Sequence, residues 1–203
     1  MSSEFQDAVR FHQSAFGFDL KDEQIGRLAD HYTFVQENNP ILHLVGPSTP
    51  EEFATRHILE SLTLLKHLPQ GAKFADVGAG AGLPSIPCLI VREDLKAVQI
   101  ESKEKKASFL NEAIERLDLA GRCVVVNKQF TEVDLADCGY VTCRAIDKFT
   151  ENLPRMIKWA GRRTLLLFGG PNLEQALKQA RVSFSSELMP MSRERYLFVS
   201  RRS

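Results

Sequence analysis

Apolar residues recur at helical spacing through the first seventy positions. Between Asp22 and Val35, the side chains of Ile25, Leu28, Ala29, Tyr32 and Val35 fall on one helix face. The pattern predicts a helix that stops near Asn38-Asn39-Pro40, because proline and its predecessor disfavour helical backbone. Thr49-Pro50-Glu51-Glu52 predicts the next start: a threonine cap, a proline at the first position and a glutamate at the third. Ile58, Leu62 and Leu65 continue that helix to about His67, and Leu68-Pro69-Gln70-Gly71 reads as a turn.

From residue 72 the pattern changes to short apolar runs separated by helical stretches. Strands are predicted at 74–77, 97–101, 123–127, 139–143 and 164–168, with two more at 182–187 and 195–200. Helices are predicted after Ser102, which can cap one carrying Phe109, Leu110, Ala113, Ile114 and Leu117, and over 149–159 and 172–180. Strand–helix alternation implies a parallel sheet with helices on both faces, and two final strands without a helix between them imply an antiparallel end. The expected fold is α/β: a doubly wound, mostly parallel sheet of about seven strands. Residues 1–70 are expected to form a helical cap on a 71–203 core, the two making one compact unit.

Composition narrows the class. A chain of 203 residues with 43% hydrophobic and 26% charged side chains suits one soluble globular unit. No apolar run is long enough to span a membrane, and Met1-Ser2-Ser3-Glu4-Phe5 lacks the basic start and apolar stretch of a signal peptide, so a cytoplasmic location is expected. Cys88, Cys123, Cys138 and Cys143 form no C-x-x-C pair, which disfavours a zinc site or a disulfide framework and predicts buried thiols. No metal is expected. The net charge is zero but uneven: residues 1–70 carry 5 basic and 10 acidic side chains, residues 155–203 carry 10 basic and 3 acidic. The basic end is a candidate polyanion surface or simply a solvated face.

The chemistry concentrates after the first strand. Asp76-Val77-Gly78-Ala79-Gly80-Ala81-Gly82-Leu83-Pro84 leaves the strand and opens a helix, the place where open parallel sheets bind ligands. A dinucleotide fingerprint requires a third glycine where Leu83 stands, and a phosphate loop requires a Gly-Lys-Ser/Thr that is absent. Glu101, ending the second strand, offers two acceptor oxygens to vicinal ribose hydroxyls. Asp76 is a candidate for an ammonium, directly or through water. Together these residues resemble the S-adenosylmethionine site of class I methyltransferases, whose fold is Rossmann-like.

The resemblance sharpens on either side of the loop. Arg56-His57-Ile58-Leu59-Glu60-Ser61-Leu62 looks like the R-H-x-x-D-S-L segment of the glucose-inhibited division protein B (GidB/RsmG) family. Residues Asp76 to Pro87 are similar to its D-V-G-x-G-x-G-[FL]-P-G-I-P, and Glu101-Ser102-x-x-Lys105-Lys106-x-x-Phe109-Leu110 to its D-S-x-x-K-K-x-x-F-L. Thr142-Cys143-Arg144-Ala145 is similar to its S-R-A segment. The similarity covers roughly residues 25–185. Membership implies methylation of guanine N7 in small-subunit 16S ribosomal RNA with S-adenosylmethionine as donor, and the small ribosomal subunit or its RNA as partner of a monomeric enzyme.

The resemblance assigns the cofactor to Asp76, Gly78, Gly80, Gly82, Leu83, Glu101, Phe130, Thr131 and Arg144, with Arg144 also the candidate catalytic charge. Arg56, His57, Lys105 and Lys106 are candidates for the RNA side. Arg144 is expected to be exposed at a strand end, so that its loss would spare the fold. Trp159 reads as partly buried packing rather than a base platform. Three departures bear on the RNA side: Glu37-Asn38…His43-Leu44-Val45 replaces W-N…N-L-T, Gln129-Phe130-Thr131 replaces R-x-E, and Phe168-Gly169 replaces K-G. They leave two other readings open, a class I methyltransferase of another RNA or a small molecule, and a non-catalytic ribosome-binding relative.

Overall fold

Seven strands form a single sheet in the order β3-β2-β1-β4-β5-β7-β6 in the computed structural model, which describes residues 2–135, 137–144 and 149–200. The strands are β1 (Lys73–Val77), β2 (Lys96–Ile100), β3 (Cys123–Val126), β4 (Tyr140–Cys143), β5 (Thr164–Gly169), β6 (Phe184–Leu188) and β7 (Tyr196–Ser200). The first five pair in parallel, and β7 lies antiparallel to both β5 and β6. The doubly wound α/β reading therefore holds, with the antiparallel end supplied by the last two strands.

The helices are α1 (Ser2–His12), α2 (Asp22–Leu42), a continuous helical segment α3 over 50–67, α4 (Ser85–Val91), α5 (Glu104–Arg116), α6 (Phe149–Ala160) and α7 (Pro171–Gln179). The alternating strand pattern sorts side chains onto two faces. Phe74 of β1, Leu166 and Phe168 of β5, and Leu197 and Val199 of β7 join one cluster with α1, α2, α3, α4 and α5. Ala75, Val77, Leu165, Leu167 and Phe198 join the other with α6 and α7. Within the first cluster Phe5 stacks on Tyr32 at 4.6 Å and Phe53 meets both edge-on, which ties α1, α2 and α3 together.

Three local expectations are corrected. The helix predicted to stop near Pro40 continues to Leu42. The Asn39 carboxamide oxygen accepts from the Leu44 and Val45 amides while its nitrogen donates to the Val45 carbonyl, and His43 caps the end in the left-handed region at φ 48°. These bonds fasten the turn that a proline would otherwise loosen. The predicted Ser102 cap is absent: Lys103 occupies that position, and the Glu101 carboxylate accepts from its backbone amide at 2.9 Å. Finally, α3 starts with the expected Thr49–Glu52 capping box but widens into a π-helical stretch over Phe53–Leu59. Such widenings concentrate at functional sites, and this one carries Arg56 and His57.

Candidate active site

Strand register brings the candidate residues together. Val77 pairs with Ile100 on one side and with Cys143 on the other. Gly78, Glu101 and Arg144, each one residue further on, therefore emerge side by side at the carboxyl edge of β1, β2 and β4. Cys143 pairs with Leu167, which sets Phe168 next to Arg144. A cleft of ≈ 580 Å³ opens there, lined by Gly78, Gly80, Leu83, Glu101, Phe130 and Arg144, among others. His57 and Lys106 also line it, as does the Leu44–Gly46 segment that follows α2.

The glycine loop is a tight turn closed on itself. Gly78, Gly80 and Gly82 all take positive φ, at 71°, 52° and 78°. The Gly82 and Leu83 amides both donate to the Ala79 carbonyl, at 2.7 and 3.2 Å. Glu101, 6% exposed, bridges this turn to the start of α5: its carboxylate accepts from the Gly80 amide at 3.1 Å and the Lys103 amide at 2.9 Å. Each carboxylate oxygen keeps a further lone pair, so a diol can still be bound.

Gly82 does not line the cleft; it serves packing. A Cβ there would lie 2.3 Å from Ile86 Cδ1 and 3.4 Å from Gln99 Nε2. Gly82→Ala is expected to cost about 1–3 kcal/mol of stability through overpacking and the left-handed backbone. Denaturant unfolding checks this, and an unchanged midpoint would show that Ile86 moves aside freely.

Asp76 sits behind the cleft wall. It is fully buried, and its carboxylate accepts from the Ser85 amide at 3.2 Å and the Ser85 hydroxyl at 2.5 Å, holding the first turn of α4. Its other oxygen is buried without a hydrogen-bond donor among the described residues. Burial pushes the Asp76 carboxyl up to about 7, partly offset by the Ser85 bonds. Asp76 does not line the cleft, and its carboxylate faces the start of α4.

Arg144 is not the exposed strand-end charge anticipated. Its side chain is 16% exposed and pairs at 3.3 Å with Glu60, which is 2% exposed. It donates to the Ser61 hydroxyl at 3.2 Å and to the Arg56 carbonyl, and its guanidinium lies 5.5 Å from the centre of the Phe168 ring. Burial lowers the Arg144 pKa, and Glu60 opposes that shift. Arg195 donates to the other Glu60 oxygen at 2.7 Å. Two guanidiniums thus share one buried carboxylate. The Arg144 partners Glu60 and Ser61 lie in the R-H-x-x-D-S-L-like segment, but spacing alone does not reveal that they meet Arg144 across the fold.

His57 lines the same end of the cleft. Burial, with the positive charges of Arg144, Arg56 and Arg195, holds its imidazole down at about 3, so the ring is neutral. Arg56, Lys105 and Thr131 are exposed and do not line the cleft, whereas Phe130 and Lys106 do. Lys106 donates to the His43 carbonyl at 3.1 Å, fastening the segment after α2 over the cleft edge. Trp159 donates to the Val133 carbonyl at 2.8 Å and packs edge-on against Phe130, a packing role. The four cysteines are buried and form no disulfide, and no metal-holding cluster occurs among the described residues. Ala145 lies outside the described residues.

The family model for rRNA small subunit methyltransferase G, GidB, matches residues 24–194. A ribosomal RNA small subunit methyltransferase G of Sorangium cellulosum is 34% identical over 176 residues, which is 82% of this chain and 73% of that protein. The proteins of that name from Pelotomaculum thermopropionicum and Nitrosospira multiformis are 41% and 32% identical, with matches covering 51% and 73% of this chain. These two matches span 44% and 66% of the relatives' own lengths. Among solved structures, a Streptococcus agalactiae protein of the NADB-Rossmann superfamily has a TM-score of 0.58 at 16% identity, over 70% of this chain and 67% of its own. A B. subtilis tRNA methyltransferase has a TM-score of 0.56 at 16% identity, over 71% of this chain and 65% of its own. Those two likenesses concern the Rossmann-like fold alone. The sequence relationship goes further, and by the extent of its match the chain belongs to the rRNA small subunit methyltransferase G (GidB) family.

Proposed function

We propose that the chain transfers a methyl group from S-adenosylmethionine to guanine N7 of small-subunit ribosomal RNA. The observation that carries this reading is the convergence of the glycine loop, Glu101 and Arg144 on one cleft in a chain of this family. The residues present fit the cofactor. The cleft volume of ≈ 580 Å³ lies within the range of small-molecule sites. Glu101 is held by two backbone amides with lone pairs to spare for ribose hydroxyls. Phe130 offers an apolar wall for adenine; Thr131, one residue along, would contribute only through the backbone of that turn. Asp76 and Gly82 would act indirectly, by fixing the loop and the start of α4.

Bound S-adenosylmethionine supplies a methyl group activated by a positively charged sulfur. Guanine N7 already carries an in-plane lone pair, so no side chain has to remove a proton. His57, whose pKa is held at about 3, would be a poor base, and none is needed. What the chain supplies is alignment in a sheltered cleft, which can contribute up to about 7–11 kcal/mol for well-oriented reactants. Arg144, fixed by Glu60, Ser61 and the Phe168 ring, would hold guanine O6 or a phosphate. Phe168, where the family pattern has lysine, gives this guanidinium an aromatic face in place of a like charge.

On the same reading Arg56, His57, Lys105 and Lys106 face the RNA, and residues 1–70 act as a helical cap on the 71–203 core. The shared apolar cluster supports treating the two as one unit. A cytoplasmic monomer is the form proposed; no helix of the described residues is long and apolar enough to cross a membrane. The test is labelled-methyl transfer to naked ribosomal RNA, isolated small subunits and small-molecule extracts, across a salt series. Transfer to small-subunit guanine N7 that weakens with salt is expected, because phosphate contacts release counterions. Salt-independent transfer to a metabolite, with no modified guanine, would replace this reading by a small-molecule methyltransferase.

A further inference from the structure

One side chain of the N-terminal helices reaches the glycine loop. His31, midway along α2, is fully buried, and its Nε2 lies 2.8 Å from the Ala81 carbonyl oxygen. A carbonyl only accepts, so Nε2 must carry the proton. Burial holds the imidazole down at about 4, so the ring is neutral and its single proton is committed to Ala81. Nδ1 is then a buried acceptor with no partner among the described residues. A phenylalanine would fill similar space without that cost, so packing alone does not account for an imidazole here.

Ala81 explains the choice. It lines the cleft between Gly80 and Gly82, whose φ values are 52° and 78°. The peptide between Ala81 and Gly82 donates its N–H to the Ala79 carbonyl at 2.7 Å, and His31 takes up its carbonyl, so both polar groups of that peptide are held. Next to it, the Gly80 amide donates to Glu101, the candidate ribose acceptor. The His31 bond and the Glu101 bond therefore both anchor the same short turn, one at the Ala81 carbonyl and one at the Gly80 amide.

We propose that His31 is a positioning residue for the cofactor: it fixes the Ala81 peptide and so the loop that orients Glu101. The proposal rests on the S-adenosylmethionine reading and adds to it that cofactor affinity depends on a residue of α2, fifty positions before the loop. Its test is calorimetric binding of S-adenosylmethionine to the full chain and to His31→Phe, His31→Gln and Val9→Ala, with thermal unfolding of each. His31→Phe removes the donor and is expected to bind at least about tenfold more weakly. His31→Gln restores an N–H and is expected to recover most of the affinity. Val9→Ala opens a cavity in the buried core of α1 and is expected to lose stability with affinity kept. Wild-type affinity in His31→Phe would overturn the proposal. So would Gln failing to improve on Phe, or affinity falling as far in Val9→Ala as in His31→Phe. Absence of binding by the wild-type chain would instead remove the cofactor reading, and this proposal with it.

Discussion

Arg144→Ala is expected to abolish measurable methyl transfer and also to destabilise the protein, by about 3 kcal/mol. The second effect comes from Glu60. That carboxylate is 2% exposed and is shared by Arg144 and Arg195. Removing one partner of a buried pair typically costs about 3–5 kcal/mol, because the remaining charge stays desolvated. Arg195 still pairs with one oxygen at 2.7 Å, which places the cost at the lower end. Arg144→Lys separates the two effects. It keeps a charge near Glu60 but loses the planar fork that reaches Glu60, Ser61 and the Arg56 carbonyl together. Lysine should therefore recover most of the stability and little of the transfer. Denaturant unfolding alongside single-turnover methylation reads both quantities. Full turnover in a folded Arg144→Ala protein would take Arg144 out of the reaction.

Glu101→Ala is expected to weaken S-adenosylmethionine binding about tenfold to a hundredfold, with little change in affinity for RNA. A hydrogen bond to a charged acceptor is worth about 1.5–3 kcal/mol. The structure adds a second cost, because the Gly80 and Lys103 amides both lose their acceptor and the turn between them loosens. Glu101→Gln should fall between the two, since its amide retains one acceptor oxygen. Calorimetric titration of the three proteins decides, and equal affinities would remove Glu101 from the cofactor site.

Much of this architecture was legible along the chain. Strands announced themselves as short apolar runs bounded by turns, and all seven occur close to the expected positions. The glycine loop and Glu101 were legible because a turn after one strand and an acid after the next are set by local spacing. What spacing does not carry is depth. Asp76 is fully buried and caps Ser85, neither of which its place in the first strand reveals. Arg144 read as an exposed charge and is enclosed by Glu60, Ser61 and Phe168. Glu60 and His31 take their meaning from partners 84 and 50 positions away. The helix runs past Pro40 for a similar reason: the Asn39 side chain fastens the turn that follows, a contact that residue spacing does not reveal.

The placement of β7 between β5 and β6 has a consequence in time. Residues 184–188 leave the ribosome before residues 196–200, so β6 emerges without the neighbour it will pair with. Until then β5, whose Leu165 to Phe168 are buried in the finished protein, presents an open edge beside β4. An unpaired apolar strand is a template for pairing with another chain. The edge of β5 is covered only when residues 196–200 insert between it and β6, so the two antiparallel pairings close the sheet together.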